Sequence, residues 1–220
     1  MARRRRGRRP EEYARRAPVR EPYDYILIVC EGGKTEPNYF KRLCAVYGLS
    51  NANVEITPAD GTDPVSVVNF AIAKHDEHDR VYCVFDRNGH ANFNAALDLV
   101  SQSALGKNGV LRAITSTPCF EVWVLFALCL QHGAVQQGWQ RLGLRQGAEA
   151  IRPHFGGYAK GSKNVYDTLT AKLDAAIKNA VQLGKHNKTS ASLNPATGVH
   201  DLVEYLRNLK PKPKTAKSNV

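Results

Sequence analysis

Two patterns of apolar residues alternate along residues 21–133 of this chain. Continuous apolar runs at residues 25–30 (YILIVC) and 80–85 (RVYCVF) predict strands that are buried on both faces of a sheet. Between the runs, apolar residues recur at intervals of three and four, which predicts amphipathic helices. With two shorter strands at residues 54–58 and 111–115, the predicted order is β-α-β-α-β-α-β-α. This order predicts an α/β fold with a mostly parallel sheet and helices on both faces.

Capping signals set the predicted ends of the first helices. Thr35 is the expected N-cap of a helix over residues 36–47, and Gly48 is expected to end that helix. Asp63 is the expected N-cap of the second helix, with Pro64 in its first turn.

The pattern changes in the second half of the chain. A strongly apolar helix is predicted over residues 118–131, and no strand pattern follows residue 133. Residues 134–163 are rich in Gly and Gln, and two amphipathic helices are predicted over residues 165–183 and 199–209. These helices are expected to form an extension of the α/β core.

The positive charge of the chain lies at its two ends. The formal net charge is +11, and residues 1–20 and 210–220 carry all of it, so the part between them sums to zero. Their Arg-rich and Lys/Pro-rich compositions are typical of disordered tails. The Arg-rich arm has two interpretations, contact with nucleic-acid phosphates or simple solubilisation. The predicted parts are a disordered arm (1–20), an α/β core (21–133), a Gly-rich segment with the helical extension of the same domain (134–209) and a disordered tail (210–220).

The cysteines and the longest apolar run indicate the cellular compartment of the protein. The cysteine spacing forms no CxxC pair and no zinc-finger pattern, which favours reduced, buried thiols. The longest apolar run, residues 122–130, is too short to span a bilayer, and no signal-peptide pattern follows the basic N-terminus. We therefore expect a cytoplasmic protein with no membrane partner. The five cysteines are Cys30, Cys44, Cys83, Cys119 and Cys129.

Three acidic residues stand at or near the carboxyl ends of predicted strands. Glu31 follows the first strand, Asp86 follows the strand at residues 80–85, and Glu121 lies in the first turn of a later helix. Ligands of open parallel sheets bind beyond this edge. Carboxylate oxygens there suit Mg²⁺ or Mn²⁺. The sequence therefore predicts an acidic metal-binding site.

Each acid also has an ordinary structural interpretation. Glu121 can complement the positive end of its helix dipole, Asp86 can stabilise an Asx turn, and Glu31 can be a solvated loop residue. His90, close behind Asp86, is interpreted as structural. The convergence of three acids at matching positions favours a site over these alternatives.

Basic residues supply candidate contacts to phosphate. Residues 31–36 (EGGKTE) form a Gly-containing turn before a helix, which lets Lys34 and backbone N–H groups approach an anion. The Walker A spacing is absent, because its first Gly would fall at Ile28. Further candidates, with ordinary loop charge as the alternative, are Arg152, His154, Lys160 and Lys163.

Four strings of the sequence resemble motifs of the RloB-like family, which is regarded as a branch of the TOPRIM-like superfamily. They are ILIVCEGGKTEPNYF, CVFDRN, STPCFEVWVLFAL and GYAKG, all within residues 25–161. By this resemblance, Glu31 takes the acid–base or metal role, and Asp86 is the first Asp of a metal-binding Asp-x-Asp pair. Asn88 stands where the second Asp would be. Its amide oxygen can ligate a cation but brings no charge, and Glu121 can supply the missing carboxylate.

The resemblance implies a TOPRIM-like fold and a metal-dependent, nuclease-like protein in anti-phage defence, either abortive infection or restriction-linked. It would cleave phosphodiesters of DNA or RNA with Mg²⁺ or Mn²⁺. Two alternatives stay open: a non-catalytic nucleic-acid-binding effector with a degraded Asp-x-Asp site, and a subunit activated by an ATPase partner. A homo-oligomer is also open. The expected roles are catalysis by Glu31, Asp86 and Lys34, metal binding by Glu31, Asp86, Asn88 and Glu121, and phosphate contact by Lys34, Arg152, Lys160 and Lys163.

Overall fold

The structure is a computed structural model of the chain. It describes residues 23–50, 53–87, 89–128, 151, 155–191 and 194–209. The predicted tails, most of the Gly-rich segment, Cys129, and the candidates Asn88, Arg152 and His154 lie outside the described residues.

The described elements follow the predicted alternation and then add a helical part. In chain order they are β1 (Ile26–Cys30), α1 (Thr35–Val46), β2 (Val54–Pro58), α2 (Pro64–Ala73), β3 (Arg80–Asp86), α3 (Phe93–Gln102), α4 (Ala104–Lys107), β4 (Leu111–Thr117), α5 (Glu121–Leu128), α6 (Val165–Leu169), a 3₁₀ turn (Thr170–Lys172), α7 (Leu173–Ser190), β5 (Ala196–Thr197) and α8 (Val199–Arg207).

The strands form one mixed sheet in the order β2-β1-β3-β4-β5. The first four are parallel, which confirms the predicted α/β fold, and β5 runs antiparallel to β4. We call the end of the sheet where β1, β3 and β4 finish the carboxyl edge, and the opposite end the amino edge. The sequence did not predict β5, because two residues are too few to show a period.

Both faces of the sheet are covered, as predicted. In β1, Ile26 and Ile28 belong to the apolar core on one face, whereas Leu27 and Val29 belong to the core on the other. Side chains of successive strand residues point to opposite faces, so a strand between two cores is apolar at every position. Helices α2 and α3 pack on one face, and α1, α5 and the C-terminal helices pack on the other.

Helix α5 is the most deeply buried helix of the described chain. All eight of its residues are buried, including the acidic residue that begins it. It packs against α7, where the Asn179 side chain donates a 2.9 Å hydrogen bond to the Phe126 carbonyl. The helical extension therefore fixes α5 from the side opposite the sheet.

Of the two predicted N-caps, one is confirmed and one is wrong. Asp63 caps α2 as predicted, accepting from the backbone N–H groups of Val65 and Ser66. Thr35 does not cap α1: it is the first residue of that helix, and its hydroxyl accepts a hydrogen bond from the Gly161 N–H instead. The Thr35 hydroxyl therefore makes a tertiary hydrogen bond to Gly161 instead of capping its own helix.

The single helix predicted over residues 165–183 is wrong in its continuity and its end. A 3₁₀ turn at Thr170–Lys172 separates α6 from α7, and the Thr170 hydroxyl donates to the Tyr166 carbonyl one turn earlier. Such back-bonding by Thr bends helices. Helix α7 then continues to Ser190 and ends at Ala191, whose φ is 50°.

The prediction of buried, reduced thiols is confirmed for the four described cysteines, which are free and buried. Burial raises the pKa of Cys83 to about 12, so this thiol stays protonated at neutral pH. None of the helices in the described part of the chain has the length and apolar character needed to cross a membrane.

Candidate active site

The sheet brings the three predicted acids to one edge. Glu31 follows β1, Asp86 ends β3 and Glu121 begins the helix after β4. Strand β1 has β2 on one side and β3 on the other, so the chain reverses its direction of travel across the sheet between β1 and β3. Ligands of open α/β sheets bind at this switch point. Glu31 and Asp86 stand at the ends of the two strands that form it.

An open pocket of about 470 Å³ lies at this carboxyl edge. It is formed by the turn after β1, the end of β3, the start of α5 and a loop from the C-terminal half of the chain. Its lining residues are Gly32, Gly33, Lys34, Thr35, Glu36, Asp86, Glu121, Lys160 and Gly161.

Glu31 is held by two hydrogen-bonding partners beside this pocket. Its Oε2 accepts a 2.9 Å hydrogen bond from the backbone N–H of Asp86. Its Oε1 lies 2.8 Å from Nε2 of His90. Glu31 therefore couples the ends of β1 and β3, and His90 contacts this carboxylate.

Glu121 is almost fully buried, with 3% of its surface exposed. The hydroxyl of Tyr158, itself buried, donates to Oε1 of Glu121 across 3.2 Å. The Lys160 ammonium lies 3.8 Å from the same oxygen and is largely exposed. Both partners come from one loop of the C-terminal half, so this loop completes the surroundings of Glu121.

Glu36 is a fourth carboxylate that the sequence analysis missed. It lies in the first turn of α1 and lines the same pocket. A Cβ atom at Gly32 would collide with Oε2 of Glu36, so the absence of a side chain at Gly32 makes room for this carboxylate. The signal in the sequence that could have indicated Glu36 was its position in EGGKTE, five residues after Glu31.

The surroundings of this cluster raise the pKa values of two of its carboxyl groups, Asp86 and Glu36. Burial raises the pKa of Asp86 well above its usual range, and the negative charges of Glu36, Glu31 and Glu121 raise it further. A backbone hydrogen bond from Phe120 acts in the opposite direction. Burial also raises the pKa of Glu36, again with contributions from Glu121 and Glu31. The cluster therefore holds excess negative charge that a cation or a proton would relieve.

The loop that carries Tyr158 and Lys160 is tied to the start of α1. The Gly161 N–H donates to the Thr35 hydroxyl across 2.9 Å, and the Asn38 side chain donates to the Gly161 carbonyl across 3.0 Å. We call residues 157–162 the docking loop. Its docking joins two sequence motifs, EGGKTE and GYAKG, that are more than 120 residues apart.

A model of the RloB-like protein family matches residues 26–206, which include the whole pocket. The chain belongs to the RloB-like family. No match to it was found among curated proteins or among solved structures.

The remaining candidates of this RloB-like chain have different positions. Lys34 is exposed and lines the pocket. Lys163 is exposed and lies outside the residues that line the pocket. Asn88 and Arg152 fall in segments that the structure does not describe, and their roles stay predictions.

The donors at the carboxyl edge suit a hard divalent cation in their chemistry. Carboxylate oxygens are the preferred ligands of Mg²⁺ and Mn²⁺, and the raised pKa values show a repulsion that such a cation would reduce. As they stand, however, the described residues contain no group of three or more His, Cys, Asp and Glu side chains arranged to hold a metal ion. Both oxygens of Glu31 are already engaged, so metal binding there would compete with His90.

Proposed function

We propose that this RloB-like protein is a metal-dependent, nuclease-like enzyme that cleaves nucleic-acid phosphodiesters in the pocket at the carboxyl edge. One observation carries the proposal: at the switch point of the sheet, three carboxylates and two lysines line one pocket, and Glu31 lies beside it. Acids alone would suit a cation, and lysines alone would suit an anion. Together they suit a cation with a bound phosphate.

Each group of the pocket has a proposed task. Asp86, Glu36 and Glu121 would hold Mg²⁺ or Mn²⁺, and Glu31 would bind the cation or accept a proton. The bound cation would polarise the phosphodiester and favour attack by water. Lys34 and Lys160 would bind the non-bridging phosphate oxygens and stabilise the negative charge that grows in the transition state.

Glu36 and Glu121 can compensate for the missing second Asp of the Asp-x-Asp pair. Asn88 supplies no charge, but these two carboxylates supply charge to the same pocket from α1 and α5. The negative charges of both raise the pKa of Asp86, which supports a cation shared by the three carboxylates. We therefore propose a weakened Asp-x-Asp motif rather than a lost metal site. We also propose a TOPRIM-like fold and a role in anti-phage defence, and the resemblance of the sequence motifs supports both.

The test is cleavage of single- and double-stranded DNA and RNA by the full chain, with Mg²⁺ and with Mn²⁺. Asp86→Asn and Glu31→Gln each remove one charge with little change of shape, so each should lower the rate by at least about 100-fold. Asp98→Asn is the matched control, because Asp98 is an exposed acid of α3. It should cleave as the wild type does.

Two other results would contradict the proposal and indicate the alternatives. Metal binding without cleavage would favour a subunit that needs an ATPase partner. Absence of both metal binding and cleavage would favour a non-catalytic effector that binds nucleic acid. Asn88→Asp separates these cases further, because added charge should strengthen metal binding and cleavage only where a metal site exists.

A further inference from the structure

Residues 178–190 of α7 form a basic surface that the pocket does not use. They contain three lysines, one histidine and no acidic residue. Lys178, Lys185 and Lys188 are all exposed. Their spacing of seven and three residues places them on one side of the helix. No ion pair neutralises these lysines within the described part of the chain.

Helix α7 runs from the amino edge to the carboxyl edge of the sheet. Near its start, Asp174 pairs with Arg207 at the end of α8. This end of α8 lies at the amino edge, because the Tyr205 hydroxyl donates to Asp24, two residues before β1. Near its other end, the Asn187 side chain donates a 2.7 Å hydrogen bond to the Pro195 carbonyl, directly before β5. Eighteen residues of helix span about 27 Å, which exceeds the length of these strands. The basic end therefore projects at the edge that holds the acidic pocket.

The register of the sheet links this surface to Asp86. Asp86 pairs with Ser116 of β4, and Ser116 pairs with Thr197 of β5. The Ser116 and Thr197 hydroxyl oxygens lie 3.2 Å apart. Neighbouring strands are about 4.8 Å apart, so Thr197 lies about 10 Å across the sheet from Asp86. The basic end of α7 is thus beside the pocket rather than on a remote face.

We propose that the basic surface of α7, residues 178–190, binds the sugar–phosphate backbone of a nucleic acid and guides the strand toward the pocket. The inference rests on the proposed phosphodiester substrate. An ordinary role in balancing the helix dipole would account for Lys188 in the last turn, but Lys178 and Lys185 lie farther from the helix end. The acidic pocket would repel the same backbone, so a flanking basic surface supplies attraction that the pocket lacks.

The test is the salt dependence of binding of a fluorescein-labelled 20-base-pair DNA by the full chain, in EDTA so that no cleavage occurs. Each lysine–phosphate contact contributes about 0.9 to the slope of log K against log salt concentration. Lys185→Gln/Lys188→Gln should therefore reduce the slope by about 2 and weaken binding at low salt. The Arg-rich residues 1–20 remain in every protein and cancel in the comparison.

The matched control is Lys107→Gln/Arg112→Gln, which removes two exposed charges at the amino edge that form no ion pair within the described part of the chain. It should leave the slope nearly unchanged. Equal slopes for the α7 variant and the wild type, or equal losses in both double variants, would overturn the inference. Cleavage that depends on Asp86 but not on α7 would reject this surface alone. Binding that depends on α7 without any cleavage would reject the proposed function alone.

Discussion

Asp86 is the residue whose environment gives the clearest dependence of stability on pH. Burial and three neighbouring carboxylates raise its folded-state pKa, whereas its unfolded pKa is about 3.9. The stability that depends on a protonated Asp86 is therefore fully present below about pH 4. It is lost as the pH rises through the raised folded-state pKa, by about 1.4 kcal/mol for each unit that separates the folded pKa from the unfolded pKa. Asp86→Asn cannot ionise, so without divalent metal it should be more stable than the wild type at pH 7.

Urea denaturation between pH 4 and pH 8 in EDTA checks this prediction. The free-energy gain of Asp86→Asn over the wild type should grow with pH and vanish near pH 4. The exposed-acid control, Asp98→Asn, should follow the wild type throughout. A variant that is less stable than the wild type at pH 7 would show that the charge of Asp86 is compensated within the chain.

Tyr158 is predicted to position Glu121 for metal binding. Tyr158→Phe removes the hydroxyl that donates to Glu121 and should cost about 1–3 kcal/mol of unfolding free energy, because a buried acceptor loses a partner. Tyr205→Phe is a matched control: it removes a 2.6 Å hydrogen bond to Asp24, away from the pocket. Titration with Mn²⁺ should show weaker binding only for Tyr158→Phe. Equal Mn²⁺ affinity in both variants would leave Tyr158 a purely structural residue.

The sequence indicates some residues of the pocket and not others. Glu31 and Asp86 could be found because each directly follows a strand whose apolar run is unmistakable. Glu36 was missed because an acid in the first turn of a helix has an ordinary explanation in the helix dipole. Only the close approach at Gly32 and the neighbouring carboxylates distinguish it, and both require tertiary structure.

The docking loop makes a prediction at the level of an element. Gly161 has a φ of 84°, and a Cβ there would lie 3.1 Å from Cβ and Cδ of Lys34. Gly157 has a φ of 81°, and a Cβ there would have no atom within 4 Å of it. Alanine at either position should cost about 1–2 kcal/mol for the left-handed backbone. Gly161→Ala should cost more, because the Cβ of Lys34 is fixed by its backbone and the loop itself must shift.

Denaturant midpoints of the two alanine variants provide the measurement. A larger loss for Gly161→Ala than for Gly157→Ala is the expected order. The reverse order would mean that the loop does not depend on its contact with the turn after β1.

Elements with strong local patterns were predictable, and those that depend on distant partners were not. The strands β1 and β3 are apolar at nearly every position, so their burial on both faces is evident from the sequence. Strand β5 exists through pairing with β4, about 80 residues earlier. Likewise, the hydroxyl of Thr35 would cap α1 in isolation but bonds to the docking loop in the folded chain. Long-range contacts determine what local propensity leaves open.

On the scale of the whole molecule, the site depends on both halves of the chain. The sheet presents Glu31 and Asp86, while the C-terminal half supplies Tyr158 and Lys160 and packs around the helix that begins at Glu121. Neither half alone forms the pocket. Any ligand that binds the carboxylates should therefore stabilise the two halves together.

Divalent metal should accordingly raise the stability of the entire fold. A ligand that binds only the folded state stabilises it by about 2.7 kcal/mol when its concentration is 100 times its Kd. Thermal unfolding of the full chain should move to higher temperature as Mn²⁺ is added, and the shift should grow from pH 5 to pH 8 as the carboxylates lose the protons that compete with metal. Glu31→Gln and Asp86→Asn should reduce the shift, and Asp98→Asn should keep it. A shift of equal size in all four proteins would show that the metal binds elsewhere on the chain and not in the pocket.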